Sequence, residues 1–182
     1  MHRTKEIKLL KNEKTISRTD INGNILYFNN TFSKISGYNR AELTRVPHNI
    51  LRHPDMPKAI FYIIWQTLLA GNSTYAIIKN QTKSRDYYWQ LINFSPIKDN
   101  QNRTISFISH GVQAPKETVK EISPLYQELL IIEKYNSNEA IKFFLNFLNS
   151  NNIATYNDYI SRVKSENKNV SIFESWLKFD FI

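Results

Sequence analysis

The chain of 182 residues contains no cysteine. Disulfides, thiol nucleophiles and cysteine-bound zinc or iron–sulfur sites are therefore excluded. Only 4 glycines are present, and no glycine-rich phosphate-binding loop occurs. No run approaches the ~18 apolar residues that a membrane span needs, and the first residues lack the apolar centre of a signal peptide. We therefore expect a cytoplasmic protein that would reach a membrane only through a partner.

The net charge of +8 is unevenly distributed, because residues 137–182 hold five basic and five acidic residues. The excess therefore lies in residues 1–136. Nucleic-acid binding is one interpretation of such an excess. The basic residues are scattered, however, and no predicted helix collects them on one face. This pattern favours a solvated surface without a nucleic-acid partner, with a modest part of the charge available for an anionic cofactor.

The order of predicted elements is two strands, several short helices, three strands and then helices. Asn22-Gly23 predicts a tight hairpin turn in residues 15–29, and Asn29 can cap the helix that follows. Strands interrupted by a helical insert indicate an α+β fold rather than a βαβ repeat. We expect a cap or short helix in residues 1–14, a sheet domain in 15–114, a linking helix in 115–136 and a helical extension in 137–182.

The most informative stretch is PHNILRHPDMPKAIFYIIWQTLLAG, residues 47–71. A polar loop carrying Arg52, His53 and Asp55 precedes a helix that is apolar nearly all round, which indicates burial on more than one side. Asp55 is placed to cap this helix, with Pro57 in its first turn. Polar groups beside such a helix suggest a concave binding site, although a capped core helix without a ligand explains the spacing as well.

These residues closely resemble the PAS domains of aerotaxis-receptor-type (Aer-like) energy-taxis sensors, which bind flavin adenine dinucleotide (FAD). The resemblance rests on the RHPDMP run at 52–57, on NNTFSKISGYNRAEL at 29–43, on IIKNQTKSRDYYW at 77–89 and on SPLYQEL at 123–129. It covers about residues 15–134. It implies a PAS fold, in which a five-stranded antiparallel sheet carries short helices and one long helix on one side.

The resemblance also implies which residues hold the cofactor. Arg52, His53 and Asp55 match positions that the family needs for FAD binding, and Trp65 matches a tryptophan linked to flavin binding. Asn80 matches a strand position where an amide can hydrogen-bond the edge of the isoalloxazine ring. Phe61 and Asn29 are further candidates. The full set of predicted cofactor-binding residues is therefore Asn29, Arg52, His53, Asp55, Phe61, Trp65 and Asn80.

Two departures from the family pattern leave alternatives open. Thr74 and Ala76 stand where many relatives have W-x-G, which removes an aromatic group near the pocket, and Arg85 replaces a hairpin glycine. A cofactor-free PAS module for dimerisation or protein interaction is the competing interpretation. Haem bound through His53 is a less favoured one. No paired carboxylates or Ser/His/Asp pattern support catalysis, so we expect a sensor and not an enzyme.

A sensor of redox, energy or oxygen status without an output module must signal to a separate protein, such as a membrane chemoreceptor, or act as a homodimer. The resemblance does not cover residues 137–182, whose apolar stripes must pack on the sheet domain, on a second copy or on a partner. We expect them to form an interface for dimerisation or for a receptor. Capping boxes are predicted at Thr118/Glu121 and at Ser171/Glu174, the latter before Trp176 and Leu177.

Overall fold

A computed structural model describes the backbone of residues 4–166 and the side chains as far as residue 163. The predicted helix containing Ser171, Glu174, Trp176 and Leu177 lies outside the described residues. Strands and helices follow one another as β1 Thr15–Thr19, β2 Ile25–Phe28, α1 Asn30–Ser36, α2 Arg40–Leu43, a 3-10 helix His48–Leu51, α3 Lys58–Leu69, β3 Thr74–Gln81, β4 Tyr87–Lys98, β5 Thr104–Gln113, α4 Lys116–Glu133, α5 Ser137–Ser150 and α6 Tyr156–Glu166.

The predicted α+β architecture is confirmed. The strands form one five-stranded sheet in the order β2-β1-β5-β4-β3, and every neighbouring pair is antiparallel. The hairpin between β1 and β2 turns at Asn22-Gly23, where Gly23 has a φ of 85° and its N–H donates to the Asp20 carbonyl. Glycine adopts this conformation without the penalty that a Cβ would bring.

The two faces of the sheet have different partners. Side chains alternate between faces along a strand, so that Ile78 and Asn80 face the side of α3 whereas Ile77 and Lys79 face the opposite side. On that opposite side Trp89, the cross-strand partner of Lys79, stacks on Tyr126 of α4 at 6.4 Å between ring centroids. A space is therefore enclosed between α3 and the inner face of the sheet, whereas α4 packs on the outer face.

The helices α5 and α6 pack on the sheet domain, which is the first of the three possibilities left open by their apolar stripes. Phe144 and Ile160 are fully buried in the same apolar core as α3 and the sheet. The Asn157 side chain accepts the N–H of Tyr75 at 3.2 Å, and this contact satisfies a donor on the edge strand β3. The described part of the extension is therefore built into the domain.

Several local predictions are wrong. Asp55 does not cap α3, because the N-cap is Pro57 and makes no side-chain bond; the Ala59 N–H donates instead to Glu133 at the end of α4, at 2.7 Å. Thr118 does not cap α4, because Pro115 is the N-cap and Thr118 is the third residue of the helix, which continues through Pro124. Of the two alternatives for residues 1–14, a cap or a short helix, only the helix is not observed, because no described part of residues 4–14 is helical.

The N-terminal segment is instead an extended strap along β4. The Ile7 N–H donates to the Tyr87 carbonyl at 2.7 Å, and the Tyr87 N–H donates to the Lys5 carbonyl at 3.0 Å. The buried side chain of Leu9 packs with Ile35 and Tyr88. No helix within residues 4–166 is long and apolar enough to cross a membrane.

Candidate functional site

A cavity of about 320 Å³ lies between α3 and the inner face of the sheet. Its walls come from α3, from β1 and β3 to β5, from the β1–β2 turn and from the segment 47–52. Among the lining residues, Asn49 and Lys58 are exposed whereas Ile64 and Ile78 are buried. The opening therefore lies near the polar loop before α3, and the closed end lies in the apolar core.

The helix wall of the cavity is aromatic. Phe61 and Trp65 of α3 both line it, as predicted, and so does Phe107 of β5. The rings of Trp65 and Phe107 meet edge to face, with centroids 5.3 Å apart and planes at 80°. Trp65 also touches the hairpin turn, since a Cβ at Gly23 would lie 3.1 Å from Trp65 Cζ2. An aromatic wall of this kind suits a flat conjugated ligand.

Asn80 supplies a polar group on the sheet wall, also as predicted. It is 6% exposed, and its Nδ2 donates to Oε1 of Gln90 on the neighbouring strand at 3.3 Å. Because Asn80 lines the cavity, its amide group can hydrogen-bond a ligand there.

A second polar patch was not predicted. His48 lines the cavity, and its Nε2 lies 2.9 Å from Ser17 Oγ, which in turn lies 2.7 Å from Ser109 Oγ. Burial lowers the pKa of His48 to about 4, so the imidazole is neutral near pH 7. Sequence spacing could not reveal this patch, because Ser17 and Ser109 meet only through the pairing of β1 with β5.

Arg52 brings a positive charge to the cavity, in agreement with its predicted position at the site. Its Nε and Nη2 donate to the Met56 carbonyl at 3.1 and 2.6 Å, and its guanidinium lies 5.5 Å from the centre of the Phe61 ring. Burial lowers the pKa of Arg52 and the carboxylate of Glu133 opposes that change. The remaining guanidinium donors can serve an anion at the opening.

His53 and Asp55 do not line the cavity. His53 Nδ1 accepts the Asp55 N–H at 3.0 Å, and its ring packs edge-on against Tyr87. The Asp55 carboxylate accepts from Lys79 Nζ at 2.6 Å, and this hydrogen bond is the main cause of its lowered pKa. The pair thus fixes the loop before α3 against β3, and its direct contact with a cofactor stays a prediction.

Asn29 has a structural role outside the cavity, at the start of α1. Its Oδ1 accepts the Phe32 N–H at the start of α1 and the Ile16 N–H, and its Nδ2 donates to the Lys14 carbonyl. The predicted helix cap is confirmed. With both polar atoms of its amide bonded within the protein and its side chain outside the cavity lining, Asn29 supports the fold around the site.

The departures from the family pattern also have defined positions. Thr74 and Ala76 are buried on β3, opposite Phe94 and Ile92 of β4, which both line the cavity. Small residues there leave the cavity without a further aromatic group. Arg85 adopts a φ of 70° in the β3–β4 turn, where a side chain costs on the order of 1 kcal/mol relative to glycine.

Comparisons with known proteins agree with this fold. Residues 25–110 match a family model described as PAS fold. The aerotaxis receptor of Escherichia coli K12 is 39% identical over 114 residues, which are 63% of this chain and 22% of the receptor. A blue-light-activated histidine kinase of Brucella anthropi is 25% identical over 69% of this chain and 26% of the kinase. The chain thus spans less than a third of the length of these relatives.

Solved structures show the same fold at low sequence identity. A structure titled "Flavin Analogue Sheds Light on Light-Oxygen-Voltage Domain Mechanism" aligns with 64% of this chain and 88% of its own, with a TM-score of 0.56 at 14% identity. A PAS domain from Colwellia psychrerythraea aligns with 57% of this chain and 87% of its own, with a TM-score of 0.52 at 18% identity. The predicted PAS fold is confirmed.

Proposed function

We propose that this chain, which carries a PAS-fold domain, is a sensor that binds FAD without a covalent bond and reports redox, energy or oxygen status to a separate protein. The observation that carries the proposal is the 320 Å³ cavity, in which Phe61 and Trp65 face a sheet wall bearing Asn80. The 39% identity to the aerotaxis receptor of Escherichia coli supports the choice of signal. By analogy, the recipient would be a membrane chemoreceptor or another signalling protein.

The residues of the cavity fit a flavin. The aromatic wall suits the ring system, the Asn80 amide can hydrogen-bond its imide edge, and Arg52 and Lys58 near the opening suit phosphate groups. The volume lies at the lower end of the roughly 300–1,000 Å³ of ligand pockets. It accommodates the ring system and not the whole dinucleotide, so the remainder would extend past the exposed Asn49 and Lys58.

A bound flavin would supply reversible acceptance of electrons and protons. The charged and titratable residues of the cavity would respond to the charge on the ring. Because Arg52 is cationic and His48 is neutral near pH 7, the cavity favours a negative charge more than a positive one. Negative charge on a ligand raises the pKa of a nearby imidazole, so His48 Nε2, beside Ser17 Oγ, is an atom at which a proton could be held.

The walls of the cavity are connected to the C-terminal helices. Glu133 of α4 accepts the Ala59 N–H at the start of α3. Tyr126 of α4 donates to the Ile77 carbonyl of β3 at 2.8 Å, and its hydroxyl lies 2.6 Å from that of Tyr156 in α6. A ligand that contacts α3 and β3 differently in its two redox states would therefore shift the position of α4 and α6.

A cofactor-free interaction module is the second candidate. It is favoured by Thr74 and Ala76, which leave out an aromatic group, and by exposed apolar side chains on and just after α4, where Ile131 is 58% and Tyr135 88% exposed. Haem is a weaker candidate, because His53 lies outside the cavity lining and its Nδ1 is already bonded.

The absorption spectrum of the purified protein tests the proposal. We expect the bands of oxidised flavin, and FAD on chromatography after the protein is denatured. A Soret band would indicate haem instead. A colourless protein that takes up no added FAD would contradict the proposal and favour the interaction module.

A variant pair tests the phosphate contact. Arg52→Gln should weaken FAD binding more than it weakens riboflavin binding, because riboflavin has no phosphate. Arg103→Gln is the matched control, since Arg103 is exposed, pairs with Asp99 and lies outside the cavity lining. Equal losses for both ligands in Arg52→Gln would assign Arg52 to the loop structure only.

A further inference from the structure

The first turn of α3 is capped by a residue of another helix. Pro57 precedes α3 without a side-chain hydrogen bond to it, and the turn contains no acidic residue. The first N–H groups of a helix have no acceptor within the helix, and Ala59 is 1% exposed, so an unbonded N–H at this position would be costly. Its acceptor is Oε1 of Glu133 at 2.7 Å, 74 positions along the chain.

This turn also forms part of the cavity opening. Lys58 and Phe61, which lie on either side of Ala59 in sequence, both line the cavity. Arg52, a third lining residue, is tied to the chain just before the turn, because its Nε and Nη2 donate to the Met56 carbonyl. Its guanidinium lies 5.5 Å from the centre of the Phe61 ring. Opening of the first turn would therefore displace Lys58 and Phe61 and remove the ring against which Arg52 lies.

Glu133 is held in place by the C-terminal helices. It is the last residue of α4, and Leu129, one turn earlier, is fully buried. The helix α5 packs on both α4 and α3, and its buried Phe144 lies in the same apolar core as Ile60 of α3. The position of the Glu133 carboxylate is therefore decided by helix packing outside the cavity.

We propose that Glu133 is a positioning residue that keeps the first turn of α3 closed, so that the C-terminal helices control how tightly the cavity retains its ligand. The inference rests on the proposed flavin function, which supplies the ligand, and adds a direction of control from α4 to the cavity. If the turn is closed for only a fraction of the time, the apparent affinity falls by that fraction. By linkage, a bound ligand stabilises the contact between Ala59 and Glu133 to the same extent.

A competing explanation is that Glu133 acts by its charge alone. Its carboxylate opposes the lowering of the Arg52 pKa that burial causes, and it would repel a phosphate at the opening. Two substitutions separate charge from capping. Glu133→Gln removes the charge but keeps a side-chain oxygen at the same reach, whereas Glu133→Asp keeps the charge on a side chain that is one methylene shorter. Capping predicts a defect in Glu133→Asp only, and charge predicts a change in Glu133→Gln only.

The test measures the dissociation constant for FAD by equilibrium titration of the unmodified protein and both variants. We expect Glu133→Asp to lose about three- to tenfold in affinity, as for one hydrogen bond, and Glu133→Gln to change by less than about twofold. In the free protein the Ala59 N–H should exchange with water about three to ten times faster in Glu133→Asp, and FAD should restore its protection. Glu128→Asp is the matched control, because Glu128 is exposed on the same helix. Circular dichroism verifies that every variant is folded.

The outcomes separate the two proposals. If the unmodified protein binds no FAD, the flavin function is wrong and the control of flavin retention fails with it. If it binds FAD but Glu133→Gln loses as much affinity as Glu133→Asp, or if neither variant changes the affinity, the flavin function stands and Glu133 does not position α3. The same conclusion holds if the Ala59 N–H exchanges equally fast in both variants.

Discussion

Replacing Phe144 by alanine should destabilise the whole domain, although Phe144 lies in the extension that the family resemblance does not cover. Its side chain is fully buried and its ring meets that of Tyr156 edge to face, with centroids 5.5 Å apart. It belongs to the same apolar core as Ile60 of α3 and Ile77 of β3. Loss of Phe144 therefore removes packing that both the extension and the cavity walls share.

The expected size follows from burial. A buried phenylalanine cut back to alanine costs about 3–5 kcal/mol of unfolding free energy through lost transfer energy and the cavity left behind. With a urea dependence of about 2 kcal/mol per molar for a small domain, the unfolding midpoint should fall by about 2 M. Leu145→Ala is the control: Leu145 is 43% exposed, and its loss should cost less than about 1 kcal/mol.

Urea unfolding followed by tryptophan fluorescence provides the assay. Trp65 and Trp89 report on the sheet domain, and Trp176 is replaced by phenylalanine in every protein compared. Circular dichroism follows the helices in parallel. We expect both signals to shift together in Phe144→Ala. If the helical signal alone shifted and the tryptophan midpoint did not change, the extension would fold independently and the shared-core argument would be refuted.

Three further predictions follow from the site and its loop. Trp65→Ala should abolish flavin retention while circular dichroism stays native-like, because stacking is lost but Trp65 is only partly buried; full occupancy would make Trp65 ordinary core. The contribution of His48 to the free energy of unfolding should be complete above pH 6.5 and should fall by up to about 3 kcal/mol toward pH 4, because the unfolded chain protonates His48 at a higher pH than the folded chain does. Urea unfolding at a series of pH values should show a smaller pH dependence of stability for His48→Gln. Asp55→Asn should weaken FAD binding only moderately, since Asp55 acts through Lys79. A complete loss of FAD binding in a titration would indicate that Asp55 contacts the cofactor directly.

The family motif led to four of the seven predicted site residues that line the cavity: Arg52, Phe61, Trp65 and Asn80. Arg52, Phe61 and Trp65 could be found because a loop signature and helical spacing are local in sequence. The other three predicted residues, Asn29, His53 and Asp55, are in the right part of the chain but use their polar atoms within the protein. Residue type cannot separate a ligand contact from a cap or an ion pair.

The sequence by itself determined the element order, the antiparallel hairpins and the position of the binding helix, because turn residues and apolar periodicity act over a few residues. It did not determine what meets across the sheet. The hydrogen bonds of Gln90 with Asn80 and Thr15, the contact of Ser17 with His48 and the bond from Tyr75 of β3 to Asn157 join residues 10 to 82 positions apart. Strand order and helix packing decide such contacts, since only they bring distant polar groups within hydrogen-bonding distance.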